Sequence, residues 1–131
     1  MGELTKEIWI DAPPEKVYRY LVERDLATSW MGDESWNDPR PGGVFRLDIR
    51  GHVTSGEFVE LDPPRRVVYT WGWEGEGQIH PPGSTTVEWQ LEAEGGGTRV
   101  RLRHSGLTET GVEMHGEGWD QFLPELARAA A

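Results

Sequence analysis

The chain has 131 residues, enough for one domain with a real hydrophobic core, and its 36% hydrophobic and 27% charged content suits a globular protein. A formal net charge of −10 argues against a nucleic-acid backbone or an anionic membrane as the main partner. With no cysteine, disulfides and thiol chemistry are excluded, and a cytoplasmic setting is expected.

Met1-Gly2-Glu3-Leu4 lacks the basic start and apolar stretch of a signal peptide, and no apolar run reaches transmembrane length, so no membrane insertion is expected. Leu4 to Asp11 reads as the first strand, with Leu4, Ile8 and Ile10 apolar and Trp9 pointing to the other face. Asp11-Ala12-Pro13-Pro14 stops it and starts a helix, because prolines suit a first turn and Asp11 is placed to satisfy its free donors. Val17, Tyr20 and Leu21 form the buried stripe of that helix. Residues 25–30 continue as a further helical turn or two, and residues 33–38 as a short strand carrying Trp36.

Pro39-Arg40-Pro41-Gly42-Gly43 is a turn, and Val44 to Arg50 is a strand with Phe45, Leu47 and Ile49 inward. Gly51 supplies the reversal into a hairpin partner that runs to Asp62, with Val59 and Leu61 expected on the core face. After the turn at Pro63-Pro64-Arg65, Arg66 to Trp73 sets Val67, Tyr69, Trp71 and Trp73 on one face. Residues 75–83 are polar and broken by glycine and proline, hence a loop. Ser84 to Glu94 and Thr98 to Leu107 alternate cleanly about Gly95-Gly96-Gly97, with Val87, Trp89 and Leu91, then Val100, Leu102 and His104, facing in. Such short links require antiparallel order.

The last stretch, Thr110 to Ala130, reads as a long amphipathic helix. Val112, His115, Trp119, Phe122, Leu123 and Leu126 share one face at helical spacing. Thr110 with Glu113 resembles a capping box. Gly111, Gly116 and Gly118 weaken propensity, so the Met114–Trp119 region is expected to bend or to leave room for something else, and Pro124 is a second expected place for a bend. The pattern as a whole predicts an α+β fold without repeat or linker. A curved antiparallel sheet of six or seven strands, with two short helices after the first strand, wraps the long C-terminal helix.

Between sheet and helix lies either packed core or a cavity. Phe45, Trp71, Trp73, Trp89, His115, Trp119 and Phe122 are all predicted to face inward, and such aromatic walls suit an apolar or aromatic ligand. Seven tryptophans exceed what core volume alone requires. His104 and His115 are the candidate acid–base or ligand-orienting groups, and ordinary satisfied core histidines are the alternative. Four scattered histidines with no cysteine give no metal spacing, and neither a metal nor a cofactor is expected. Glu57 and Glu74 are the acids nearest the pocket mouth, with solvated surface as their default. Ser105 points away from His104 and makes no triad with it. Gly95-Gly96-Gly97 lacks the following helix of a phosphate loop. Arg99, Arg101 and Arg103 form an outer stripe expected to pair across strands with Glu88 and Glu92.

An ordered set of segments also carries a resemblance. Asp11-Ala12-Pro13-Pro14-Glu15-Lys16-Val17-Tyr18, Trp30, Pro41-Gly42-Gly43-Val44-Phe45, Gly56 to Pro64, Thr70-Trp71, Gly97-Thr98-Arg99-Val100, His104 and Gly118-Trp119 follow the order and spacing of a bacterial family. The chain resembles the bacterial proteins similar to the activator of the heat-shock-protein ATPase, within the START-like, or SRPBCC, superfamily. The resemblance covers essentially residues 1–131 and implies one helix-grip domain with an elongated hydrophobic cavity. It implies less about activity, since that superfamily holds lipid carriers, receptors, cyclase-type enzymes and co-chaperone domains. The separate N-terminal chaperone-binding domain of the eukaryotic namesake is not expected in this chain.

Three readings follow. The first is noncatalytic binding of a small hydrophobic or aromatic molecule. The second is a cyclase- or hydrolase-like enzyme of the same fold that uses His104 or His115. The third is a co-chaperone-like interaction module with a chaperone-type protein partner, in the setting of a stress response. A homodimer through a strand edge is a further expectation.

Overall fold

The computed structural model describes residues 2–131. The chain runs β1 (Gly2–Ile10), α1 (Pro14–Val22), α2 (Arg24–Ala27), β2 (Glu34–Ser35), β3 (Val44–Ile49), β4 (His52–Asp62), β5 (Arg66–Trp71), β6 (Thr85–Glu94), β7 (Gly97–Leu107) and α3 (Glu109–Ala130). The strands form a seven-stranded antiparallel sheet in the order β1-β7-β6-β5-β4-β3-β2. Strands β2 to β7 follow each other as a meander, and β1 closes beside the last of them. The sheet curves around α3, which packs against β1, β7 and α1. This is the α+β helix-grip architecture that the alternation and the terminal amphipathic stretch predict.

The inward faces supply one continuous core. Leu47, Phe58, Val67, Trp89, Val87, Leu107 and Leu126 are fully buried. Turn chemistry holds the register: Gly95 and Gly96 take φ of 58° and 84° between β6 and β7, a left-handed pair that glycine adopts without a Cβ penalty. Thr98 Oγ1 donates to the Ala12 carbonyl at 2.7 Å, which fixes the start of α1 to β7.

Several local expectations are corrected. Asp11 makes no cap, because Pro13 is the N-cap residue of α1 with no side-chain bond there. The buried stripe of α1 is Val17, Tyr18, Leu21 and Val22, with Tyr20 only half-buried. A register shift between Phe58 and Glu60 inserts an extra residue in β4, so Phe58 is buried and Val59 is exposed. Only Glu34 and Ser35 of the expected strand 33–38 pair, and Trp36 instead lies under the Arg46 guanidinium at 4.2 Å. Strand β5 ends at Trp71, with Trp73 joined by an isolated bridge to Thr54. Helix α3 begins earlier than expected: Thr108, not Thr110, is its N-cap and accepts from Gly111 N–H at 3.0 Å. It continues through Pro124 without interruption.

On the outer face the arginine stripe is paired, but not only as expected. Arg101 meets Glu92 and Glu7, Arg99 meets Glu94, and Arg103 meets Glu3 across the edge strand. Glu88 pairs with Arg66 rather than with the stripe. These contacts are largely solvated and contribute little each.

The glycines of α3 differ in what surrounds them. A Cβ at Gly111 would run into the His80 ring, whereas one at Gly118 would meet nothing. Gly118→Ala is therefore expected to raise stability by about 0.5–1 kcal/mol through helix propensity. Gly111→Ala is expected to lower it by about 1–3 kcal/mol through overpacking. Urea midpoints of the two variants check this, and equal shifts would contradict it.

Candidate functional site

The helix is attached to the sheet by polar bonds inside the core. Trp119 Nε1–H, on α3, donates to His104 Nδ1, on β7, at 3.1 Å. His104 Nε2 lies 2.9 Å from Thr85 Oγ1, and that hydroxyl donates to the Trp71 carbonyl at 2.7 Å. Since Nδ1 accepts, the neutral ring carries its proton on Nε2, and the chain of donors runs from Trp119 to the backbone of β5.

His115, one turn before Trp119, is fixed in the opposite tautomer. Its Nδ1 faces the Gly111 carbonyl at 2.8 Å, an acceptor only, so the proton sits on Nδ1. Its Nε2 accepts from both Trp71 and Trp73 indole N–H groups, at 3.3 and 3.2 Å. The His104 and His115 rings meet edge to face with centroids 4.8 Å apart. A third imidazole, which the sequence pattern did not single out, completes the group. His80 from the loop after β5 is buried, its Nε2 accepts from Thr108 N–H at 3.1 Å, and its ring lies 5.6 Å from that of His115. Only its place in an otherwise exposed polar loop gave any signal, and that signal has no period.

Burial pushes His104 down to about 3, helped by repulsion from His115 and His80. Burial also lowers His115, against the opposing pull of its bond to Gly111, with His80 adding to the lowering.

Beside this group, a half-open pocket of about 150 Å³ lies between α3 and the sheet. Trp71, Trp73, Trp119 and Phe122 form its aromatic walls. Ile49 and Met114 flank it, and His115 and Gly118 supply the helix side. The structure therefore gathers Trp71, Trp73, His115, Trp119 and Phe122 around one space. Phe45, Trp89 and His104 lie behind that wall. Phe45 stacks on Tyr69 at 3.8 Å, Trp89 donates to the Tyr69 hydroxyl at 3.0 Å beneath Trp30, and His104 is sealed between Trp71 and Trp119. Met114 and Gly118 belong to the stretch expected to bend or leave room, but the pattern does not name them as lining residues: one is an exposed helical methionine, the other has no side chain to count.

The acid candidates do not enter the pocket. Glu57 is exposed, and Glu74 is bidentate to Arg46, at 2.8 and 3.0 Å, a bond that holds its carboxyl below the usual range. Neither is a buried acid, and neither lines the pocket. No group of three or more metal-ligating side chains occurs among the described residues. No helix among them is long and apolar enough to cross a membrane.

A curved sheet that grips a C-terminal helix across an aromatic pocket defines a START-like, or SRPBCC, domain. Residues 11–131 match the family described as "Activator of Hsp90 ATPase homolog 1-like protein", and the chain belongs to that family. An AHSA1-like protein from Rhizobium etli is 35% identical, with a TM-score of 0.75 over 99% of this chain and 82% of that one. An Aha1 from Colwellia psychrerythraea, solved in solution as a dimer, is 27% identical, with a TM-score of 0.83 over 99% and 96% of the two chains. The human "Activator of 90 kDa heat shock protein ATPase homolog 1" is 24% identical over 120 residues, 92% of this chain and 34% of the human protein. The chain thus spans about a third of that relative's length.

Two outcomes follow from the buried polar bonds. Trp119→Ala removes a buried indole and leaves His104 Nδ1 without a donor, and is expected to cost about 3–5 kcal/mol by denaturant unfolding. A loss below about 1 kcal/mol would mean that this ring does not anchor the helix. Stability also depends on pH. His104 is neutral in the fold and protonates near 6.5 when unfolded, so its contribution is complete above about pH 6.5 and declines as pH falls toward about 3. Between about pH 7.5 and pH 5 this group alone is expected to remove about 2 kcal/mol. Urea midpoints near pH 7.5 and pH 5 measure it, and equal midpoints would contradict it.

Proposed function

We propose that this cytoplasmic domain binds a small hydrophobic or aromatic molecule, without catalysing its reaction, in the pocket between α3 and the concave face of the sheet. The observation that carries this reading is a space of about 150 Å³ walled by Trp71, Trp73, Trp119 and Phe122. Apolar cavities of about that size hold a benzene-sized guest. A cyclase- or hydrolase-like reaction at His104 or His115 would require a ring nitrogen free to exchange a proton with substrate. All four nitrogens are engaged by protein groups. That favours binding over chemistry.

Kinship with activators of a heat-shock-protein ATPase supports a second reading, a chaperone-type protein partner. The exposed apolar side chains Met114 and Ile79, at 65% and 70% accessibility, are the contacts it would use. A homodimer, the state of the Colwellia relative, is compatible with either reading. A chaperone ATPase rate that does not change on adding the protein would remove the second reading and leave the first.

Gly118→Leu tests the pocket. A Cβ at Gly118 would meet nothing and Gly118 lines the pocket, so the leucine side chain is expected to lie in the pocket against its aromatic walls with the fold kept. Ethylbenzene at millimolar concentration is expected to raise the Tm of the wild-type protein and not that of Gly118→Leu. No shift in the wild type, or the same shift in both, would contradict binding at this site.

A further inference from the structure

The indole N–H groups of Trp71 and Trp73 converge on a single atom, His115 Nε2. A neutral imidazole has one lone pair there, directed in the ring plane, and the other nitrogen is committed to Gly111. Two donors therefore share one acceptor. Their distances of 3.3 and 3.2 Å are slightly longer than the 3.1 Å of the unshared Trp119–His104 bond. Both indoles line the pocket, so the pocket wall carries one surplus donor.

The acceptor side is different. The only side-chain nitrogen or oxygen acceptor among the pocket residues is His115 Nε2, which the two indoles already cover. No lysine, arginine or carboxylate lines the space. A guest's hydroxyl or amine hydrogen would find no free side-chain nitrogen or oxygen acceptor in that lining, and a carboxylate would find no cation.

Resting on the binding reading above, we infer that the ligand class is an uncharged single-ring molecule bearing one carbonyl-type acceptor, held by an N–H of the Trp71–Trp73 pair. Ketones and aldehydes fit this class, whereas isosteric alcohols, amines and acids do not. When the carbonyl oxygen takes one indole, the other recovers the whole of the His115 lone pair. Trp73, half-buried beside Met114, sets the selectivity together with His115.

Acetophenone and ethylbenzene are matched probes that differ by the carbonyl oxygen. Their affinities for the wild-type protein and for Trp73→Phe give a four-way comparison in which the cost of removing each probe from water cancels. The ketone-to-hydrocarbon preference is expected to fall about 3- to 10-fold in Trp73→Phe, the affinity equivalent of one net hydrogen bond. An unchanged preference, with both probes still bound, would overturn the inference and leave the binding reading intact. If neither probe binds the wild-type protein, the binding reading fails and this inference with it. Indole ¹H–¹⁵N spectra of the wild type give a second reading that needs no variant. Acetophenone is expected to move one of the two indole signals downfield, and ethylbenzene to leave that shift out. Identical shifts with the two probes would also overturn the inference.

Discussion

The structure depends on two buried imidazoles that accept indole N–H bonds from the opposite side of the core. An indole brings a large apolar area and one donor that water no longer serves once it is buried. His104 accepts that donor from the helix, and His115 accepts it from the strand side. The connections therefore cross in both directions. The abundance of tryptophan and the burial of histidine are one solution to one constraint: Trp9 and Trp30 use backbone carbonyls, Trp89 uses Tyr69, and the three at the helix–sheet seam use imidazoles.

That seam explains how a helix with a weak first half stays in place. Gly111, Gly116 and Gly118 all fall within its first three turns, where propensity alone would let it fray. The Thr108 cap, the His115–Gly111 bond and His80 packed over Gly111 hold that half from three directions. Gly118, in that same stretch, leaves the helix surface bare opposite Trp71 and Trp73. The pocket is where a large side chain is missing between two aromatic walls, so anchoring and vacancy come from the same stretch of sequence. Both imidazoles are spent on anchoring. The remaining walls are apolar, and this favours reading the site as a place of residence for a ligand rather than of reaction.

Much of this was legible in the sequence because alternation with period two, and spacing with period 3.6, report which face of an element turns inward. Trp71, Trp89, Leu102 and Trp119 were assigned to the interior on that basis and are buried there. The same signal carries no information about depth along the strand. Phe45, Trp89 and His104 have the same phase as Trp71, yet they stand in the packed part of the core, away from the pocket wall. A bulge also reverses the phase without leaving a compositional mark, which is why Val59 was expected inside and Phe58 is found there. Thr108 and Thr110 both offer a capping hydroxyl two residues apart, and only the turn that begins at Glu109 decides between them. His80 reaches the seam through a loop whose path no local pattern specifies.

The most direct measurement of the central claim is the ¹⁵N spectrum of the imidazoles in the folded protein near neutral pH. The bonding described here requires His104 as the neutral tautomer protonated on Nε2 and His115 as the neutral tautomer protonated on Nδ1, both held below the usual histidine range by burial. Either ring found protonated at neutral pH, or in the other tautomer, would mean that the indoles are not held as donors and that helix and sheet are joined by some other means.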